Sequence, residues 1–210
     1  MWSKPGLKAI NNEDGFVNIA GGFKYALIDD RENGFILTPR LVIEVPTGND
    51  DVYAGVGDGI AITGVSSGYR IGDLNILGDF GFQVPFNRNK QSTSMLYHLH
   101  LSYSLMDHFV PLFELNGHHY MDSGNGNTRV DVRGAGKISL GDLGLNGFEA
   151  ADVTNLGQKG VAGNDLLTLA VGARFPITDH LSMGAAYEFP VTHRKDIFNQ
   201  RVTWSLNFEY

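Results

Sequence analysis

The 210-residue chain has no cysteine, which excludes disulfides and thiolate metal sites and leaves its redox compartment open. No apolar run approaches the ~20 residues a membrane helix needs, so a helical membrane protein is excluded. Membrane-crossing strands are not, because their alternating residues cancel in an average such as this chain's mean hydropathy of −0.12. Basic residues are scarce: 16 Lys and Arg face 23 Asp and Glu, for a net charge of −7. Phosphate backbones are held by clustered Lys and Arg, so this balance argues against a nucleic-acid partner. The start, Met1 to Gly6, carries no charged-then-apolar leader. No serine is read in the strand-to-helix setting of a nucleophile elbow. Gly55-Val-Gly-Asp-Gly59 lacks the Lys-Ser/Thr ending and following helix of a phosphate loop. The loop carboxylates Asp50, Asp51 and Asp58 read as a solvated face or as weak calcium contacts. No enzymatic activity, metal or cofactor is assigned.

What the chain does have is alternation. Val202, Trp204, Leu206, Phe208 and Tyr210 fall on one face of the last segment, and Thr203, Ser205, Asn207 and Glu209 on the other. A period of two means an extended strand, since successive side chains point to opposite sides of a pleated backbone. Ending on an aromatic residue, the segment resembles the closing strand of a bacterial outer-membrane β-barrel. The same alternation predicts strands near 15–28, 35–46, 60–70, 74–85, 94–105, 109–120, 166–177, 181–191 and 200–210. The 27 glycines and 11% aromatics suit closely packed strands with ring-lined borders. Tyr25, Phe35, Phe80, Tyr97, Tyr103, Phe109, Tyr187, Trp204 and Tyr210 are expected to form two outward aromatic belts. Pro39 and Pro111 weaken the two strands that contain them, because each removes a ladder donor.

The connections alternate in length. Asp29–Gly34, Ile71–Asp73, Met106–His108 and Thr178–His180 are short, whereas Thr47–Gly59, Phe86–Thr93, Met121–Asp165 and Thr192–Asn199 are long. Outer-membrane barrels sort their links this way, with short periplasmic turns and long extracellular loops. The expected fold is therefore all-β: an antiparallel transmembrane barrel, one domain over 1–210, with 121–165 as a long extracellular loop. That loop has room for a hairpin around Val130–Leu140. With Tyr210 in the periplasm, nine strands put the first strand's start outside the cell, against the usual even count. One further strand or another odd number, and a signal peptide, are therefore expected upstream, in a barrel of about 10–12 strands.

Gly21-Gly-Phe-Lys-Tyr25, Glu44-Val-Pro-Thr-Gly48 and Gly55-Val-Gly-Asp-Gly59, with the closing aromatic strand, resemble the outer-membrane β-barrel family associated with the meta-cleavage pathway of phenol degradation. The Glu-x-Pro-Thr-Gly element at a strand exit is the most specific of these, and the likeness covers most of 15–210. It implies additional N-terminal strands and passage of small, often aromatic or hydrophobic molecules. It supplies no catalytic motif.

The expected polar face carries Lys24, Arg40, Glu44, Asp79, His98, His100, Glu114, His118, Arg174, Glu188 and Glu209. Enclosed charges of both signs pair across strands, either rigidifying the barrel or lining a selective constriction. Lys24, Arg40 and Glu44 are expected to share one network. The hairpin at Met106–His108 places His100 beside Glu114, His98 beside Asn116 and His118 near Leu96, a lumenal hydrogen-bonded network rather than a metal site. The expected function is passive passage of small solutes across a bacterial outer membrane. Expected partners are outer-membrane lipid, the barrel-assembly machinery through Val202 to Tyr210, and a small-molecule solute. The alternatives are a non-transporting structural or surface-interaction barrel, and a soluble β-barrel holding an apolar ligand.

Overall fold

The computed structural model describes residues 2–3, 13–49, 57–132, 134–139, 141–143, 155, 157–195 and 199–208; Asp50, Asp51, Glu209, Tyr210 and most of 1–12 lie outside the described residues. Every regular element among them is a strand. They are β1 (Trp2–Ser3), β2 (Glu13–Asp14), β3 (Ile19–Lys24), β4 (Ile28–Asp30), β5 (Phe35–Val45), β6 (Ile60–Ile71), β7 (Leu74–Pro85), β8 (Thr93–Tyr103), β9 (Val110–Asp122), β10 (Arg129–Val132), β11 (Gly136–Ser139), β12 (Asp165–Thr178), β13 (Leu181–Pro190) and β14 (Arg201–Phe208). The main sheet runs β14-β13-β12-β9-β8-β7-β6-β5-β3, with β4 also on β5, and every pairing is antiparallel. The nine expected strands correspond to these nine positions, the first being split into β3 and β4. Among the described residues the edge strands β3 and β14 do not pair with each other. The hairpin expected around Val130–Leu140 is β10–β11, a separate ladder beside the main sheet.

Neighbouring strands are consecutive along the sheet, except that β9 pairs β12 across the β10–β11 excursion. All short turns therefore lie at one end and all long connections at the other. Directly paired residues trace a stagger. The row Ile36, Gly68, Leu77, His100, Glu114, Ala170, Glu188, Arg201 begins beside the short turn on β5 and ends beside a long connection on β14. Strands so staggered are tilted, and closing a sheet into a barrel requires tilt.

Pro39 and Pro111 sit inside β5 and β9 without breaking them. The partner strands yield instead. Pro39 faces the gap between β3 and β4, where one extra residue fits between the pairs Lys24↔Arg40 and Ile28↔Leu37. Pro111 lies where the β8–β9 register slips, between Ser102↔Leu112 and the isolated bridge Met106↔Phe109. A residue without an N–H costs little where the ladder is already interrupted.

The faces are inverted relative to a water-soluble sheet. Leu, Val, Ile, Met and aromatic side chains from every strand of the main sheet share one face, and it stays exposed. Exposure reaches 80% at Trp204 on the edge and is still 46% at Phe80 in mid-sheet. The polar face is the covered one: Ser94, Ser102, Thr168 and Glu188 are buried. Phe35, Tyr103 and Phe109 stand beside short turns, as a belt requires. Phe80 and Tyr97 instead pair at mid-strand, a correction to the two-belt expectation that follows from their register.

The hairpin β6–β7 turns on two residues, Gly72 and Asp73, with φ of +57° at Gly72. Favoured two-residue hairpin turns demand positive φ at the first position, where a Cβ meets the following carbonyl. Nothing lies within 4 Å of a Cβ built on Gly72, so substitution there has a purely conformational cost. Gly72→Ala is expected to lower unfolding stability by about 1 kcal/mol and Gly72→Asn by less; urea titration followed by Trp204 fluorescence reads both.

Candidate functional site

Alternation places polar side chains in diagonal reach of one another across strands. Arg40 on β5 pairs with Gly64, and Gly64 with Gly81. With no side chains at either glycine, the guanidinium lies flat over them; a Cβ at Gly64 would stand 3.0 Å from Arg40 Nη2. It thereby reaches Asp79 on β7, with Nη2 donating to Oδ1 at 2.8 Å and Nη1 donating to Oδ2. Arg40 Nη1 also donates to Ser66 Oγ at 3.1 Å, and Ser66 donates to Asp79 Oδ2 at 2.6 Å. Two-point guanidinium–carboxylate pairing fixes geometry as well as charge.

A second network continues around the same face. His98 Nδ1 meets Asn116 Oδ1 at 3.0 Å, and Asn116 Nδ2 donates to Glu188 Oε1 at 3.1 Å. Thr168 donates to the same Glu188 oxygen, and Arg201 donates to the other. His100 Nδ1 lies 2.8 Å from Glu114 Oε1. Asp79 and His98 are register partners, so the two networks adjoin and together run from β5 to β14.

Three clefts lie along this face. The central one, about 510 Å³, is lined by residues from β7 to β14, including Asn75, His100, Glu114, Glu188, Arg201 and Thr203. Four strands separate β7 from β14, so the sheet curls with its polar face concave. A cleft of about 310 Å³ shares Leu77, His100 and Glu114 with it and reaches Asp79 and Ser66. A third, about 330 Å³, shares Val110 and Arg174 and extends to the turn at Asp179 and His180. They form one trough.

At the other end, the long connections knit together into a cap. Asp58, from the β5–β6 link, accepts from Lys90 Nζ at 2.7 Å and Asn87 Nδ2 at 2.7 Å, in the β7–β8 link. These bonds hold the Asp58 carboxyl below its ordinary range. Asn155, from the β9–β12 link, bonds both backbone groups of Ser92: its Oδ1 accepts from Ser92 N at 2.6 Å and its Nδ2 donates to Ser92 O at 2.9 Å. Ser123 Oγ accepts from the amides of Val161 and Ala162 at 3.1 and 2.8 Å. Arg194, from the β13–β14 link, lies 5.1 Å over the Tyr120 ring, and His118 stacks on that ring at 4.4 Å. Gln158 and Val161 are fully buried.

The expected register of His98, His100 and His118 with Asn116, Glu114 and Leu96 is the observed one. The expected Lys24–Arg40–Glu44 network is not. Arg40 binds Asp79, while Glu44 accepts from Asn18 Nδ2 at 2.9 Å and Lys24 lies exposed on the edge strand, opposite Arg40. Four residues along a strand span ~13 Å, too far for Arg40 and Glu44 to meet, whereas the glycine path to Asp79 is clear. Among the described residues no three His, Asp or Glu side chains converge as a metal site would need. Sequence reasoning passed over Gly64-Val-Ser-Ser-Gly68, which spells Gly-x-Ser-x-Gly. It lies within β6 with no turn, and Ser66 gives its proton to Asp79 rather than to a histidine. The cap also went unseen, although the glycines and asparagines from Ser123 to Asn127 marked a chain able to fold back on itself. The chain matches no protein-family model and no curated protein.

Asp79→Asn removes a charge partner from half-buried Arg40. It is expected to lower stability by about 2 kcal/mol, and a double-mutant cycle with Arg40→Ala should show coupling in urea unfolding. Gly157, at φ +64°, would place a Cβ 1.9 Å from Lys90 O, whereas Gly160 at φ +80° has open space. Gly157→Val is therefore expected to speed amide exchange at Ser92 and Gly126 roughly tenfold or more, and Gly160→Val to leave those amides near their original rate, since only its own backbone carries the conformational cost.

Proposed function

We propose that the chain is a transmembrane β-barrel of a bacterial outer membrane and that its polar trough passes small solutes. The inverted faces carry this reading. A sheet whose large apolar residues stay exposed in mid-sheet, while its serines and carboxylates are covered, is built for surroundings less polar than its own interior. Strand lengths agree, since ~9–11 residues cross a bilayer when tilted by ~45° and β5 to β13 have 10 to 14 outside the short β10–β11 hairpin. The stagger and the sorting of turns and loops to opposite ends support it further. A soluble β-barrel holding an apolar ligand would turn its apolar face inward. The likeness to the phenol-pathway barrel family supports a small organic solute, and the edge strand β14 is the natural contact for assembly machinery.

The second reading, a barrel that does not transport, is favoured by the cap, whose fully buried Gln158 and Val161 leave little room at that end. Planar-bilayer recording separates the two. Stepwise conductance that changes in Arg40→Ala supports passage through the trough. Silence, in protein whose unheated band migrates faster than its boiled band on a denaturing gel, leaves the non-transporting barrel. A band insensitive to heating would remove the barrel itself.

A further inference from the structure

The described ionisable groups that line the central cleft and the one toward Asp79 are matched, with one exception. Asp79 is held by Arg40 and Ser66, His100 by Glu114, and Glu188 by Arg201, Asn116 and Thr168. Arg174 on β12 lines both the central cleft and the one leading to the short-turn end. It makes no hydrogen bond or ion pair among the described residues.

Its isolation has a structural origin. The register partners of Arg174 are Val110 on β9 and Gly184 on β13, neither of which offers an acceptor side chain. Glu114 is four residues beyond Val110 and Glu188 four beyond Gly184, so each begins ~13 Å up the trough and is already engaged. Asp179, in the turn beyond β12, lines the short-turn cleft with Arg174 but makes no ion pair with it. Leu112, Ala170 and Ala186 supply apolar wall between Arg174 and those carboxylates.

A free guanidinium beside a short apolar wall is a complementary surface for one kind of solute. We propose that Arg174 is the recognition group for small organic anions, a single carboxylate on a short apolar body. The carboxylate takes the two-point geometry that the guanidinium fork offers, and the body lies against Leu112, Ala170 and Ala186. In the central cleft a cation of the same shape finds only the carboxylates of Glu114 and Glu188, both already engaged. The transport role of this site rests on the passage reading above; the binding itself does not.

Butyrate and butylammonium are matched probes. Saturation-transfer NMR on the detergent-folded protein is expected to show butyrate binding that weakens roughly tenfold in Arg174→Gln, the factor a charge-assisted hydrogen bond supplies. It should be largely kept in Arg174→Lys, which retains the charge and controls for folding. Butyrate binding unchanged in Arg174→Gln, or butylammonium binding as well as butyrate, would overturn the assignment. In planar bilayers, reversal potentials in a potassium butyrate gradient should show anion preference that Arg174→Gln abolishes. Arg174-dependent butyrate binding without conductance would leave the site standing and remove only the passage reading.

Discussion

The period-two alternation is locked to strand register, and everything else on this sheet depends on that lock. In an antiparallel ladder a slip of one residue moves every side chain of a strand to the opposite face. Here one slip would turn Phe80 and Phe82 inward and expel Asp79 from its guanidinium. Each polar contact on the concave face therefore also holds the apolar face in place. The coupling runs both ways: the ladder sets which residues meet, and the charged pairs penalise any other ladder.

Glycine decides how far those pairs reach. Arg40 reaches across β6 to β7 because Gly64 and Gly81 leave its path empty, and the Tyr97 ring lies over Gly117 on the other face. A sheet with side chains at these positions would confine charged pairing to nearest neighbours. On the proposed reading, this bracing keeps the middle of the trough rigid, and adjustable geometry belongs to the cap. The cap is held by loop-to-loop hydrogen bonds and one cation–ring contact rather than by ladders, and such contacts open locally at lower free energy than core strands.

Much of this architecture was legible in the residues. Strand positions followed from alternation, and the β8–β9 register followed from the short link at Met106–His108, which fixed His100 opposite Glu114. Local signals suffice where a turn is tight, because the turn counts out the pairing on either side. They did not reveal the Arg40–Asp79 pair, which depends on two empty positions, Gly64 on the strand between the partners and Gly81 on Asp79's own strand. Nor did they reveal the cap, where Asn155 finds Ser92 across 63 residues of chain. No periodicity records a meeting of loops. The prolines misled in the opposite direction: their missing donors are absorbed by a bulge and a register slip on the neighbouring strands.

The bare edge of β14 has a consequence in time as well as in space. Its described side chains are exposed throughout, and one flank of its backbone has no partner among the described residues. In water this edge is a template for another strand, and its own Val202, Trp204, Leu206 and Phe208 are exposed apolar surface. Two copies meeting there could extend one sheet into the next and bury apolar surface in the same event. On the proposed reading, reaching the folded state is then a race between closure or insertion and self-association. Dilution favours closure, and so does any agent that keeps β14 occupied until its neighbours are in place.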